Sequence, residues 1–324
     1  MNLIFIGSAE FAVPSLRSVA EEHRVELVVT QPDRPSGRGM EPGRTSVKNA
    51  ALDLGLPTFQ PEKVNSKASL EKLRSVDPEG FVVAAYGQKI SSELLNLVKW
   101  PVNIHGSLLP KYRGAAPINW AIIRGESVTG VTTIIMDEGL DSGPILLKDR
   151  TEIGVNETAG EVHDRLASMA GSLILETLDG LKKKGLEPEP QTGEPSFAPK
   201  LSKEDGLIDW SQPSNNVHDL IRGTYPWPGA YTFLEGEKLQ VCRSRDLGKL
   251  DGELAERLPL KDFGEEIPPG EIIDSGSLGL VIKCGGKTAV KLTRVQPQSR
   301  CEMSGTDFVN GYHIEIGDRF AESR

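Results

Sequence analysis

Long apolar runs are missing from this sequence. Stretches such as Leu3 to Ile6 and Phe81 to Ala85 fall far short of the roughly 20 residues that a membrane-crossing helix needs. The N-terminus has no basic lead followed by an apolar core and cleavage site, so no leader is expected and the chain is placed in the cytoplasm. Cysteine is scarce: Cys242, Cys284 and Cys301 are odd in number and widely spaced, which excludes a disulfide framework and a zinc motif. Basic charge is also in deficit, with 37 Lys and Arg against 46 Asp and Glu, a net charge of −9. By itself that sign argues against a nucleic-acid partner, because phosphate binding leaves a basic footprint.

What is present has the balance of a folded globular protein, 38% hydrophobic and 26% charged, without repeats or low-complexity tracts. A chain of 324 residues is long enough for two cores. In the first half, Asn2–Ile6, Val25–Thr30, Phe81–Ala85, Val102–Ile104 and Val131–Met136 read as strands rich in Val and Ile, continuous enough to be covered on both faces. Thr45–Leu54 and Ser66–Val76 lie between them with helical spacing. The rhythm predicts an α/β, Rossmann-like domain with a mostly parallel sheet. The clearest helix spans Asn156–Lys184, with Thr158 and Glu161 in the pattern of a capping box.

Residues 1–185 are therefore expected to form the first domain. The stretch Leu186–Lys200, with Pro188, Pro190, Pro195 and Pro199, reads as extended chain, and a linker is drawn over 186–203. From 204 to 324 the pattern shifts to short strands with glycine-bearing turns, Tyr231–Leu234, Lys238–Arg243, Leu280–Lys283 and Ala289–Val295, plus one helix near Ser214–Arg222. A small OB-like β-barrel is the simplest closed arrangement of such strands.

Chemistry concentrates after the strand Val102–Ile104. Asn103 and His105 are two residues apart, which turns both side chains to one face of a strand. They stand near its end, where open parallel sheets bind ligands. An amide and an imidazole there can stabilise an oxyanion and move a proton. Alone, an Asn-x-His pair is more often a turn residue beside a satisfied imidazole. A second polar element, Met136-Asp137-Glu138-Gly139-Leu140-Asp141-Ser142-Gly143-Pro144, could bring Asp141 against His105, since its glycines allow unusual backbone angles. The opening Gly7-Ser8-Ala9-Glu10-Phe11 lacks the glycine spacing of a dinucleotide loop, and a tight strand-to-helix turn explains it.

Together these two segments resemble the folate-dependent formyltransferase family, whose hallmark is Asn-x-His-x-Ser-Leu-Leu-Pro with a downstream Asp in a glycine-rich turn. The resemblance implies a catalytic trio of Asn103, His105 and Asp141, and a folate-contacting segment Ser107, Leu108, Leu109 and Pro110. Tyr86 and Gly87, in Val83-Ala84-Ala85-Tyr86-Gly87, resemble the turn beside the pterin. The implied donor is 10-formyltetrahydrofolate, with Asn103 and His105 stabilising the oxyanion and Asp141 orienting His105. No metal is required, and His23, His163, His218 and His313 show no ligand spacing.

Over nearly the whole chain the resemblance is to the branch of that family acting on initiator methionyl-tRNA in translation initiation. Gln31-Pro32-Asp33-Arg34-Pro35 with Gly37-Arg38-Gly39 matches its acceptor-end loop; Lys200-Leu201-Ser202-Lys203-Glu204 with Ile208-Asp209-Trp210, and then Tyr225-Pro226-Trp227-Pro228-Gly229, match the entry to its C-terminal barrel. The expected tRNA face comprises Arg34, Arg38, Arg44 and Lys48, and on the barrel Lys283, Lys287, Lys291 and Arg294. Met40 and Glu41 stand where the family commonly has lysines. Uneven charge reconciles the acidic total with tRNA. Ser275–Cys301 holds five basic residues and no acidic one, whereas Asp246–Asp274 holds nine acidic and three basic, so a local basic face can persist. Two other functions use part of this set. A small-molecule formyltransferase or formyl-folate hydrolase needs the trio without the barrel, and a nonenzymatic tRNA binder needs the barrel without the trio. Both halves together favour the tRNA-modifying enzyme, which is expected to be a monomer.

Overall fold

The computed structural model describes residues 1–36, 41–251 and 267–321. The chain divides into two compact units. The first comprises Met1–Pro117, Val128–Glu152 and His163–Pro199; the second comprises Ile118–Ser127, Ile153–Val162 and Lys200–Arg324.

In the first unit the Val- and Ile-rich runs become strands: β1 (Asn2–Gly7), β2 (Arg24–Val29), the hairpin strands β3 (Arg34–Ser36) and β4 (Glu41–Gly43), β5 (Thr58–Phe59), β6 (Gly80–Ala84), β7 (Trp100–His105), β8 (Arg113–Gly114), β9 (Val128–Ile135) and β10 (Ile145–Glu152). Seven form one sheet in the order β10-β9-β7-β6-β1-β2-β5. The β5-β2-β1-β6-β7 part is parallel, and β9 and β10 extend it antiparallel. Central strands read as unbroken apolar runs because helices cover them, among them α1 (Val13–Glu22), α2 (Ser46–Asp53), α3 (Lys67–Arg74), α4 (Ser92–Leu95) and, from His163 on, α6 (Ala159–Lys182), whereas α5 (Pro117–Ile123) falls beyond Pro117 in the second unit. Leu70 and Leu73 of α3 and Leu94 of α4 pack on Ile4, Phe81 and Val83 of the sheet. Thr177 of α6 bonds Thr133 of β9 at 2.9 Å. Gly171 lets α6 approach α1, since a Cβ there would sit 2.9 Å from Ser18 Oγ.

The expected capping box is formed. The backbone N–H of Thr158 donates to Glu161 Oε2 at 2.8 Å, and that of Glu161 to Thr158 Oγ1 at 3.4 Å, satisfying two donors that a helix start leaves open. Strand β10 was not evident in the sequence, because it is an edge strand carrying exposed Lys148, Asp149 and Arg150, charges that deter further strand pairing.

The proline-rich stretch expected as a linker is extended, but it is tied to the first unit. Ile145 and Glu189 exchange both backbone hydrogen bonds, at 2.7 and 2.8 Å, and β11 (Phe197–Ala198) pairs parallel with β8. Backbone donors on such a segment need partners, and these strands supply them.

The second unit carries α7 (Ser214–Thr224), β12 (Ala230–Leu234), β13 (Glu237–Lys249), β14 (Ile272–Asp274), β15 (Val281–Cys284), β16 (Thr288–Pro297), β17 (Met303–Ser304) and α8 (Gly305–Tyr312). Its strand order is β12-β13-β16-β15-β14, with β17 on β16. The tail closes the barrel. Phe233 and Ala321 exchange backbone hydrogen bonds at 3.0 and 2.8 Å, while Ile272 N donates to Asp318 O at 2.8 Å and Phe320 N to Gly270 O at 2.9 Å. Residues 318–321 thereby join β12 to β14, leaving neither edge open there. The interior includes Trp210, stacked on Phe320 at 5.7 Å, with its indole N–H on Thr232 Oγ1 at 3.0 Å. Among the described residues no helix is long and apolar enough to cross a membrane.

Candidate active site

β6 and β7 end side by side, with Ala84 in register with Ile104, so the loops that follow them share the carboxyl edge of the parallel strands. His105 is the last residue of β7 and is buried. Its Nε2 lies 2.8 Å from the carbonyl oxygen of Tyr112. A carbonyl only accepts, so that pairing assigns the neutral ring's proton to Nε2. Nδ1 then faces Asp141 Oδ2, at 3.6 Å. Asn103 projects to the same side, as period-2 geometry predicts, and its Nδ2 donates to Asp141 Oδ1 at 3.4 Å.

Asp141 reaches these residues through a tight turn. Asp137 Oδ1 accepts from Gly139 N at 3.0 Å and from Ser142 Oγ at 2.9 Å, an arrangement in which an Asp side chain replaces backbone turn bonds. Asp141 itself has φ 49°, a left-handed conformation that Asp tolerates better than most residues. A Cβ on Gly143 would overlap the Ile135 carbonyl oxygen, so the turn can close only over a glycine. The Asp141 carboxylate accepts the Gly114 backbone N–H on Oδ2 at 2.9 Å. Among the described residues Oδ1 has only the long bond from Asn103, so the carboxylate retains capacity for a donor from a substrate.

One participant was hidden in the proline-rich stretch. Gln191 donates through Nε2 to Asp141 O at 2.7 Å and Gly143 O at 2.9 Å. Its Oε1 accepts from Arg113 Nη2 at 2.7 Å and Nε at 3.2 Å. No local pattern marks Gln191, because its partners are 48 to 78 residues away in sequence.

The segment after His105 is shaped from inside. Thr132 Oγ1 donates to Ser107 O at 2.6 Å and accepts from Leu109 N at 3.2 Å, while Ser107 Oγ donates to Lys111 O at 2.6 Å. Ser107 and Leu109 are buried, and Leu108 and Pro110 are half-buried. Tyr86 packs in one core cluster with Phe81; among the described residues its hydroxyl has no hydrogen-bond partner, and burial pushes its pKa up to about 12. Gly87 is exposed at φ 86°. Of the expected folate-contacting residues, then, Leu108, Pro110 and Gly87 remain accessible, and Ser107, Leu109 and Tyr86 turn inward.

The expected tRNA residues divide further. Arg38 lies outside the described residues. Arg34 pairs with Glu62 at 3.2 Å, and Arg44 is exposed. Lys48 bonds Asp33 Oδ2 at 2.5 Å, and Gln60 donates to Oδ1 at 2.8 Å; the Lys48 bond, then that of Gln60, holds the Asp33 carboxyl below its usual range. On the barrel, Lys283 departs from expectation: it is buried, its ammonium donates to the Cys284 carbonyl, and burial lowers its pKa. All four residues of β15 are buried, and strand alternation puts Lys283 on the face of Val281, opposite Ile282 and Cys284 of the barrel core. Arg294 pairs with Glu302 at 2.7 Å. Lys287 is exposed in the turn before β16, and Lys291 lies cross-strand from exposed Arg245, which sequence reading had not singled out. Two cations directly opposite on a sheet repel each other, and among the described residues neither has an ion-pair partner. Among the described residues no group of three or more His, Cys, Asp or Glu could hold a metal.

The family profile described as formyl transferase matches residues 1–178, and that of the formyl transferase C-terminal domain matches residues 200–313. This chain belongs to the formyl transferase family. Asn103, His105 and Asp141 all fall inside the first formyl transferase match, and the barrel accounts for the second. Among similar proteins are the methionyl-tRNA formyltransferases of Thermodesulfovibrio yellowstonii, 41% identical over 98% of this chain and 97% of that protein, and of Caldanaerobacter subterraneus subsp. tengcongensis, 43% identical over 98% and 99%. Among solved structures, the sugar 3N-formyl transferase WlaRD, in the presence of dTDP and 5-N-formyl-THF, aligns with a TM-score of 0.64 at 17% identity, covering 93% of this chain and 99% of its own. The methionyl-tRNA formyltransferase from Clostridium thermocellum aligns at 0.53 and 18% identity, covering 76% and 93%. At these identities the structural likenesses speak for the formyl transferase fold alone.

Proposed function

We propose that this formyl transferase moves the formyl group of 10-formyltetrahydrofolate onto the free amino group of methionine on initiator methionyl-tRNA, in the cytoplasm, for translation initiation. The observation that carries the chemistry is the convergence of Asn103, His105 and Asp141 within 3.4 to 3.6 Å at the carboxyl edge of the sheet. The acceptor is supported by similarity to methionyl-tRNA formyltransferases along nearly the full length of both chains. Residues 1–185 are assigned the formyl chemistry, and the barrel of 204–324 is assigned tRNA binding as part of a monomeric enzyme.

In this reading the neutral amine attacks the formyl carbon, a new C–N bond forms, and the carbonyl oxygen becomes an oxyanion. The Asn103 amide donates to that oxyanion. Because His105 Nε2–H is committed to Tyr112 O, its free nitrogen for chemistry is Nδ1. His105 Nδ1 and Asp141 together accept the proton released by the amine and return it to the folate nitrogen as the old C–N bond breaks. Leu108, Pro110 and Gly87 offer the accessible surface for the folate. Arg34, Arg38, Arg44, Lys287, Lys291 and Arg294 are the proposed tRNA contacts, with Lys48 acting through Asp33.

The test is to incubate purified protein with 10-formyltetrahydrofolate and charged initiator tRNA, then measure formyl-methionine by mass after deacylation. Formylation of a nucleotide-linked amino sugar, with none of initiator methionyl-tRNA, would replace the proposed acceptor.

A further inference from the structure

Asp141 holds a left-handed backbone conformation, φ 49°, in a turn closed by Gly143. Its carboxylate must still present Oδ1 to Asn103 and Oδ2 to His105. A conformation of that kind persists where the surroundings over-determine it. The side chain of Gln191 supplies that constraint, since one amide nitrogen spans the carbonyls of both Asp141 and Gly143, at 2.7 and 2.9 Å. The amide cannot flip. Arg113 offers only donors, at 2.7 and 3.2 Å from Oε1, and the two turn carbonyls only accept, so every neighbour fixes the same orientation. The adjacent Gly114 then reaches the carboxylate through its own N–H at 2.9 Å. Arg113-Gly114 thus grips Asp141 twice, once through Gln191 and once directly, and β11 locks against the same two residues.

We infer that Gln191 is a positioning residue for formyl transfer, holding the Asp141 turn so that the carboxylate is aimed before substrate arrives. This rests on the proposed role of Asp141. Pre-aimed polar groups lower the barrier because they need not reorganise during reaction, so loss of the clamp should appear in turnover and not in substrate binding.

Two substitutions separate the clamp from simple tethering. Gln191→Met keeps the side-chain length and loses all four hydrogen bonds. Gln191→Glu keeps an acceptor for Arg113 but puts a carboxylate against two carbonyls. Single-turnover formylation, KM for 10-formyltetrahydrofolate and thermal melting would be measured for each. Both variants should transfer formyl at a rate lower by about tenfold to a hundredfold, with KM within about twofold and melting changed by only a few degrees. Wild-type turnover in either variant overturns the inference, as does a loss confined to KM. Normal turnover in Gln191→Glu alone would show that Gln191 merely fastens the segment to Arg113. Asp141→Asn, measured beside them, tests the underlying reading. Wild-type turnover there removes the role of Asp141 itself, whereas a slow Asp141→Asn with fast Gln191 variants removes only the clamp.

Discussion

Asp141 stands between two residues of one strand, 3.4 Å from the Asn103 amide and 3.6 Å from His105 Nδ1, while the other ring nitrogen of His105 is anchored on Tyr112. The imidazole is thereby held with one free nitrogen, directed at the carboxylate. The ring is buried, so its orientation depends on these two neighbours.

Each member of the trio is expected to act on the transition state. Asn103→Ala, His105→Ala and Asp141→Ala should each lower single-turnover formylation by about a hundredfold or more, with far-ultraviolet circular dichroism unchanged. Near-normal turnover in the His105 or Asp141 variant would remove the assignment.

Gly143→Ala tests the turn independently of any functional group. Its Cβ would collide with the Ile135 carbonyl, a rigid backbone neighbour. The strand end or the turn must shift, at a cost of about 2 kcal/mol or more. Denaturant unfolding should report that loss, and turnover should fall at least tenfold as Asp141 moves. Retained stability together with retained turnover would mean that the turn tolerates a side chain.

Charge on the barrel should sort by burial and pairing. Reversal of Lys287, Lys291 or Arg245 to Glu should weaken tRNA binding and flatten its salt dependence, since each lost phosphate contact reduces the slope by about one. Lys283→Met should leave that slope unchanged, because its ammonium is spent on the Cys284 carbonyl. Binding isotherms at several salt concentrations distinguish the sets; equal slopes throughout would exclude this face.

Glu161 offers a pH test of the second unit. Chiefly through its hydrogen bond from Arg243, at 2.9 Å to Nη2, its carboxyl is held down to about 2 from an ordinary 4.5. A depressed carboxylate pKa contributes stability that is complete above the unfolded value and disappears as pH falls through the folded one. Glu161→Gln should therefore be less stable than the native protein at pH 7, and the difference should shrink between pH 4.5 and 2. The pair is half exposed, so the effect should be roughly 1 kcal/mol or less. Unfolding curves at pH 7 and 3 check the trend; a gap that widens in acid would contradict it.

Strands β1, β2, β6, β7 and β9 were legible because hydrophobic run and spacing are local properties, and so was the helix start at Thr158 and Glu161, whose reciprocal bonds span three residues. Asn103 and His105 were legible as a pair because strand alternation alone aligns them. Strand β10 escaped because its exposed charges broke the apolar pattern, and the closing residues 318–321 escaped because their partners, Phe233, Gly270 and Ile272, are 46 to 88 positions away.

The sequence by itself determined the family motif, the strands of the parallel sheet and the placing of Asn103, His105 and Asp141 within that motif, since each is written in short stretches of residues. Only the tertiary structure decided how those groups meet. It set the left-handed turn that aims Asp141, the burial of Lys283 and Tyr86, and the partnership of Gln191 with Arg113. These depend on which distant donors and acceptors become neighbours when backbone groups must be satisfied and apolar surface buried, and no local pattern carries that information.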